Sequence, residues 1–500
     1  MPDSVDFSGK PFHFIGVGGI GMSALAYVLA KRELPVSGSD LRLSHITQRL
    51  QEEGVHIFWS QDSSNLQFFG VDARADECLK LSNGASLAIP TTNSLPQVIC
   101  STAIHADNVE FQAAQQLGCP IFHRSDVLAA LMQQYDSIAI AGTHGKTTTS
   151  SLVGYMLMQA GLDPSIVVGG EVNAWGGNAY VGESPYLVAE ADESDGSLVK
   201  FSPSIGVITN IELDHPDHYQ TLDQVVAIFK TFADRSNTLI GCIDCPIVRE
   251  QFTPAITYSL HHPNATYTVD CVNYRADGTT ARVWENGVIL GQLNLSLLGP
   301  HNLSNALAAV AVGRLLKLDF VTIAQALVSF EGARRRFERR GEFNGILFLD
   351  DYAHHPSEVV ATLAAARLRV QAARPSISGR RVVAVFQPQR YSRTLRFLSE
   401  FATAFTDADV VVVSDIYSAG ETNPGAISGQ QVADLIAEHN PQVFYQPTFS
   451  GIRQLLEKLL LPGDIALFLG AGNLNQLIPE VMAFHQSVEQ ELVQELCNQA

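Results

Sequence analysis

Short apolar runs alternate with helix-like stretches along most of the 500 residues. The first run, FHFI, stops at the glycines of GVGGIGMS; an apolar helical stretch, ALAYVLAKREL, follows, and then PVSGSD. That order predicts strand, tight turn, helix and second strand, the start of a βαβ unit. From about residue 72 to 97 the pattern weakens, as expected of an inserted surface loop or hairpin, and strand character returns at QVICSTAI. A second series opens with SIAIAGTHGKTTTSSLVGYMLMQAG, read as strand, glycine loop and amphipathic helix. Two apolar strands ending in charged residues, YLVAEADESDG and IGVITNIELDH, come next. Polar, Thr-rich sequence from about 255 to 298 predicts a few antiparallel strands, and GPHNLSNALAAVAVGRLLKL a polar turn and apolar helix. Beyond the arginine-rich FEGARRRFERRGEFNG, the runs GILFLDDYAHH, VVAVFQPQRYSR, DVVVVSDIYSAGE and DIALFLGAGN alternate with helical stretches such as PSEVVATLAAARLRV. The expectation is an α/β chain in three domains, with boundaries near 1–122, 123–333 and 334–500.

Composition narrows the function. With 46% hydrophobic and 17% charged residues the chain is globular, and its net charge of −19 argues against nucleic acid or anionic membrane as a partner. A polyanionic ligand would then have to be held by local features, such as helix N-termini and a few placed Lys or Arg residues. Seven scattered cysteines form no disulfide framework, and the single CxxC, Cys242 and Cys245, reads as chance or core packing rather than a metal or redox pair. The N-terminus has no signal pattern, and no apolar run approaches the ~20 residues that span a bilayer. A cytoplasmic protein is expected. The residues leave open whether it is a monomer or a homodimer.

The loop GTHGKTT resembles a phosphate-binding loop whose leading glycine is replaced by Ile140. Backbone N–H groups from Gly142, Thr143, His144, Gly145, Lys146, Thr147 and Thr148 could wrap a phosphate, Lys146 could reach the outer phosphates, and the Thr147 hydroxyl could sit on Mg²⁺. Further metal ligands are sought among the charged strand endings: Glu190, Asp192, Glu193 and Asp195 on one, Asp214, His215, Asp217 and His218 on the next. The apolar residues just upstream favour Glu190 and His215; the others fit a solvated acidic loop equally well. GVGGIGMS resembles a dinucleotide fingerprint with Asp40 about 20 residues on, although its paired Gly18 and Gly19 depart from GxGxxG. A pyrophosphate on a helix N-terminus is the reading that survives. In the last segment Arg390 and Arg393, with Asp351, His354 and His355, could hold an acidic small molecule or form structural ion pairs. Together these features describe ATP hydrolysis coupled to joining a nucleotide-carried substrate to something small. An NAD-dependent dehydrogenase using the first loop is the reading from another class.

Eleven blocks, GVGGIGMSALA, SGSD, STAIHADN, AGTHGKTTT, EADESD, NIELDHPDHY, GPHNLSNALAA, RRFE, DDYAHHPSEV, FQPQRYSRT and GAGN, stand in the order found in Mur ligases, and from about residue 12 to 480 the chain resembles that family. The resemblance implies a Rossmann-like N-terminal domain for a UDP-sugar, a central P-loop-type ATPase domain with a mostly parallel sheet, and a Rossmann-like C-terminal domain for the amino acid. It implies ligation of L-alanine to the lactyl carboxylate of UDP-N-acetylmuramate, with ATP and Mg²⁺, through an acyl phosphate, in peptidoglycan synthesis. A sibling activity joins a ready-made tripeptide to the same sugar. By motif, Lys146 would neutralise the β/γ-phosphates; Thr147, Glu190 and His215 would hold metal. Asn302 and Asn305 would contact adenine and Arg336 the phosphates. Gly18, Gly19, Ile20 and Gly21, with Ser101 and Thr102, would cradle the UDP diphosphate, and Tyr352, His354, Arg390 and Arg393 would shape the alanine site. Family members often carry His where this chain has Gln389. Sibling enzymes have a carbamylated lysine after the DH motif; Lys230 lies in that neighbourhood, where a plain helix lysine is the simpler reading.

Overall fold

The computed structural model describes residues 4–69, 95–371, 380–423 and 425–499. Most of the expected 72–97 insertion therefore lies outside the described residues. The chain forms two compact units, one of residues 1–142, 153–208 and 227–240, the other of 143–152, 209–226 and 241–500.

In the first unit, five short parallel strands make one sheet: Phe12–Ile15, Val36–Ser39, His56–Phe58, Gln97–Cys100 and Ile121–His123. Numbered by chain position their spatial order is 3-2-1-4-5, the Rossmann order, which reverses between the first and fourth strands. Phe12, Phe14, Ile15, Val98 and Ile99 are fully buried, as expected of strands covered by helices on both faces. The same unit holds a second series of parallel strands, Ile205–Ile208, Asp136–Ala141, Tyr186–Glu190 and Ser165–Val172 in spatial order, closed by the antiparallel Gly177–Tyr180. The hairpin formed by Ser165–Val172 and Gly177–Tyr180 turns through Asn173–Trp175 and Gly176, whose φ of +70° suits glycine.

In the second unit, Tyr267–Arg275, Gly278–Glu285 and Val288–Leu295 form the antiparallel meander expected of the Thr-rich stretch. A separate six-stranded sheet follows. Its parallel strands lie in the order Ile346–Asp351, Ile465–Leu469, Val382–Phe386, Val410–Val413 and Val443–Tyr445, with Glu338–Phe343 antiparallel on one edge. Two apolar layers sandwich this sheet, one including Leu363, Phe401 and Phe405, the other Ile452, Leu456 and Ile478. The strands ending at Asp351 and Phe386 flank Ile465–Leu469, so the segments that follow them emerge at the carboxyl edge, where open α/β sheets bind ligands. No helix among the described residues is long and apolar enough to cross a membrane.

Candidate active site

The first glycine loop lies at the switch point of the 3-2-1-4-5 sheet. Gly16 and Val17 donate their N–H groups to the Ser39 carbonyl, Gly19 caps the helix Ile20–Lys31, and the Asp40 carboxylate accepts the Gly18 N–H at 2.8 Å. A Cβ on Gly18 would fall 2.7 Å from Asp40 Oδ2, so glycine is what allows this contact. Asp40 thus holds the loop itself, and its other oxygen accepts the Arg42 N–H. Ser101 and Thr102 follow the fourth strand, across the switch point from the first. Gly19 and Ile20 are exposed residues at a helix N-terminus, a setting that suits an anionic diphosphate, although the Gly19 N–H itself is turned back onto the Gly16 carbonyl at 3.2 Å.

Of the acidic cluster in the first unit, Asp192 and Asp195 both accept from Arg124 Nη2 at 3.0 Å, an ion pair that the reading as metal ligands or a solvated acidic loop does not include. Glu190 ends its strand with its carboxylate held by the Gly169 N–H at 2.7 Å. Hard oxygens such as this one and the Thr147 hydroxyl suit Mg²⁺. Lys230 is an exposed helix lysine. Arg124 carries no motif signal in the sequence: it begins the helix Arg124–Met132 just after the expected boundary at 122.

The second glycine loop belongs to the second unit and is held by the segment 209–214. Thr143 N–H donates to the Asn210 carbonyl, His144 N–H to Asn210 Oδ1, and the His144 carbonyl accepts from Thr209 Oγ1 and Asn210 Nδ2. Gly145 has φ +81°, and a Cβ there would lie 2.6 Å from Asn305 Oδ1. Asn305 also accepts from Thr149 Oγ1 and donates to Asn302 Oδ1, and Asn302 donates to the Leu298 carbonyl, so Asn305 backs the loop and the buried Asn302 backs Asn305. Lys146 opens the helix Lys146–Gln159, and its ammonium donates to the Thr143 carbonyl.

Arg336 reaches this loop, its Nη2 lying 3.4 Å from Thr147 Oγ1. It is flanked by Arg335 and Phe337, both with left-handed backbone (φ +57° and +54°), a conformation that costs roughly 1–2 kcal/mol for a residue with a Cβ. Arg335 and Arg336 both place their guanidiniums over the Tyr352 ring, at 4.9 and 5.2 Å. His215 and Arg390 also have positive φ, and such outliers cluster at functional sites.

Arg393 is buried, with Nε on Asp214 at 2.8 Å, Nη1 on Gln389 Oε1 at 2.8 Å and Nη2 3.5 Å from His215 Nδ1. Burial works against the Asp214 charge, but the Arg393 guanidinium holds its carboxyl well below the usual range. Gln389 therefore orients Arg393. Arg390 pairs with Asp217 and Glu421 at 3.2 and 3.3 Å. His354 Nδ1 donates to the Tyr352 carbonyl at 2.9 Å, which leaves Nε2 as the ring's acceptor, and burial lowers its pKa to about 4.

A charged knot sits beside the ATP-type loop. His144 Nδ1 meets Glu358 Oε1 at 3.1 Å and Nε2 meets Glu212 Oε2 at 3.3 Å. Burial opposes charge on His144, but the two carboxylates outweigh it and raise its pKa to about 10; Glu212, bonded to His144, falls to about 2. Ligand atoms of His144, Glu212 and His355 lie within 4.8 Å of one another, but an imidazolium bonded to two carboxylates has no lone pair for a metal. Glu212 and Glu358 were missed from sequence, though both lie inside quoted motifs, NIELDH and HHPSE. Cys242 and Cys245 are free thiols, with Cys242 buried against Ser304.

Three family models match in order: "Mur ligase family, catalytic domain" over 11–136, "Mur ligase middle domain" over 140–313 and "Mur ligase, glutamate ligase domain" over 335–472. The chain is 64% identical over 491 residues to a UDP-N-acetylmuramate–L-alanine ligase of Trichormus variabilis, covering 96% of this chain and 98% of the relative. It is 65% identical over 483 residues to the protein of the same name in Nostoc punctiforme, with the same coverage. Among solved structures, the UDP-N-acetylmuramate-alanine ligase of Thermotoga maritima matches with TM-score 0.77 and 26% identity, covering 96% of this chain and 99% of the other. By its three matched domains and its near full-length relatives, the chain belongs to the Mur ligase family.

Proposed function

We propose that this chain is an ATP-dependent carbon–nitrogen ligase that joins L-alanine to the lactyl carboxylate of UDP-N-acetylmuramate, releasing ADP and phosphate, in peptidoglycan precursor synthesis in the cytoplasm. The observation that carries this is the 64% identity, over 96% of the chain, to a relative named for that reaction. A carboxylate is a poor acyl donor, so the γ-phosphate is transferred to it first, and the alanine amine then displaces phosphate through a tetrahedral intermediate.

Roles follow from motif and geometry. The three domains, 1–122, 123–333 and 334–500, take the sugar nucleotide, ATP and alanine respectively. Gly18, Gly19, Ile20 and Gly21 cradle the diphosphate with Ser101 and Thr102, and Asp40 fixes that loop as well as facing the ribose. Backbone N–H groups from Gly142 to Thr148 wrap the ATP phosphates, Lys146 neutralises charge on the transferring group, and Arg336 adds a second cation. Asn302 and Asn305 contact adenine while supporting Gly145. Thr147, Glu190 and His215 would hold magnesium, which would offset charge on the phosphates. Tyr352, His354, Arg390 and Arg393 shape the alanine site, with an arginine meeting the carboxylate.

The test is ADP and phosphate release with each component omitted in turn. Turnover should require UDP-N-acetylmuramate, L-alanine and Mg²⁺ together. ATP turnover indifferent to the sugar nucleotide, or faster with a tripeptide than with alanine, would overturn the assignment.

A further inference from the structure

Glu358 joins two loops that lie far apart in the chain. It is the third residue of the helix Pro356–Gln371, and its Oε2 reaches back to accept the N–H groups of His354 at 3.0 Å and His355 at 3.3 Å. That half of the contact is an ordinary helix-start cap, of a kind worth roughly 1 kcal/mol. The other oxygen does something a cap does not require: Oε1 meets His144 Nδ1, in the middle of GTHGKT, at 3.1 Å. The glutamate is mostly buried, at 16% side-chain exposure, as is His144 at 15%.

Each partner is fixed from behind. The backbone of His144 is held on both sides by Thr209 and Asn210. Its other ring nitrogen is bonded to Glu212, which also accepts the Ser357 hydroxyl at 2.8 Å, one residue before Glu358. On the far side, His354 is tied to Tyr352, the residue over which Arg335 and Arg336 stack. A displacement of either loop by its ligand must therefore stretch a charge-assisted hydrogen bond in a water-poor setting, where such bonds are strong. The two histidines differ in charge: His144 is held as imidazolium, while burial keeps His354 neutral. The carboxylate is thus anchored by a salt link to the nucleotide loop and by neutral N–H groups to the amino-acid loop.

We propose that Glu358 is a positioning residue that couples nucleotide binding at the GTHGKT loop to amino-acid binding at the YAHH loop, so that ATP bound at one orders the other for alanine. This rests on the ligase reading. Coupling of this kind is reciprocal and typically amounts to 5–150-fold in affinity.

The experiment uses the full chain with saturating UDP-N-acetylmuramate and Mg²⁺, and measures L-alanine affinity by calorimetry with and without a non-hydrolysable ATP analogue. In the wild type the analogue should tighten alanine binding about tenfold. In Glu358→Gln the ratio should fall to near one. His144→Gln should do the same while leaving the helix cap intact, so it carries the test if Glu358→Gln fails to fold. The double variant should match either single one. A ratio in His144→Gln equal to the wild type's, single effects that multiply in the double variant, or a wild type whose alanine affinity ignores the analogue would each overturn the coupling. Absence of alanine binding by the wild type under every condition would instead sink the ligase reading.

Discussion

The glycine loop at 16–21 and the glycine loop at 142–147 both carry the chain from a buried strand into a helix N-terminus, yet they are held by different means. The first is fastened by backbone bonds to Ser39 and by one carboxylate, Asp40, on the Gly18 N–H, with Gly19 and Ile20 left exposed. The second is enclosed: Asn210 and Thr209 hold its backbone, Asn305 presses on Gly145, and His144 is locked between Glu212 and Glu358. A loop that only binds a diphosphate needs donors on an open helix end. A loop that must also stabilise a transferring phosphoryl group gains from rigid, preorganised charge. The contrast predicts that the second loop tolerates change less well than the first.

Lys146→Ala should show the largest effect, a loss of ligation of at least about 10²-fold, the scale of removing a preorganised charge from a transition state. Phosphate release with all substrates present measures it, and near-normal turnover would take the loop out of the chemistry. Next come two matched substitutions. Gly145→Ala puts a side chain at φ +81° and against Asn305, and should lower kcat/KM for ATP by about 10²-fold with the sugar nucleotide KM little changed. Gly18→Ala presses on the side chains of Asp40 and Thr47 without requiring a positive φ, and should raise the sugar nucleotide KM about tenfold while sparing ATP. If both substitutions moved the same substrate's KM, the division of labour between the loops would be wrong.

Much of this was legible in the residues. The strands Phe12–Ile15, Gln97–Cys100, Ile346–Asp351 and Val382–Phe386 stand where apolar runs ended in turn signals, because strands buried on both faces read as unbroken apolar stretches. The antiparallel Glu338–Phe343 was not legible: ERRGEF is half-exposed at a sheet edge and carries no apolar run. At the site, motif spacing singles out Lys146 and Thr147, since a glycine loop and a helix start are local features, whereas Arg336 comes only from the family resemblance. Partners made by tertiary folding were not local. In the sequence Asp214 reads as a loop acid, and only the fold shows that it is neutralised by Arg393, 179 residues on. Arg124, which takes up Asp192 and Asp195, was hidden for the same reason.

The smallest expected effect lies in the pH dependence of the charged knot, and it separates the two loops because only one contains such a knot. His144 is raised from 6.5 to about 10, so its contribution to stability is complete below pH 6.5 and is lost as the pH rises through about 10. Glu212 is lowered from 4.5 to about 2, so its contribution is complete above pH 4.5 and is lost as the pH falls through about 2. Both are fully present only between about 4.5 and 6.5. The wild-type thermal midpoint should therefore decline between pH 6.5 and 10 partly through deprotonation of His144, and His144→Gln should flatten that decline. Asp40→Asn, which keeps an acceptor for the Gly18 N–H, should leave the slope as it is in the wild type. Equal slopes in wild type and His144→Gln would mean that His144 is not held as an imidazolium, and the second loop would then be kept in place, like the first, by backbone bonds and shape alone.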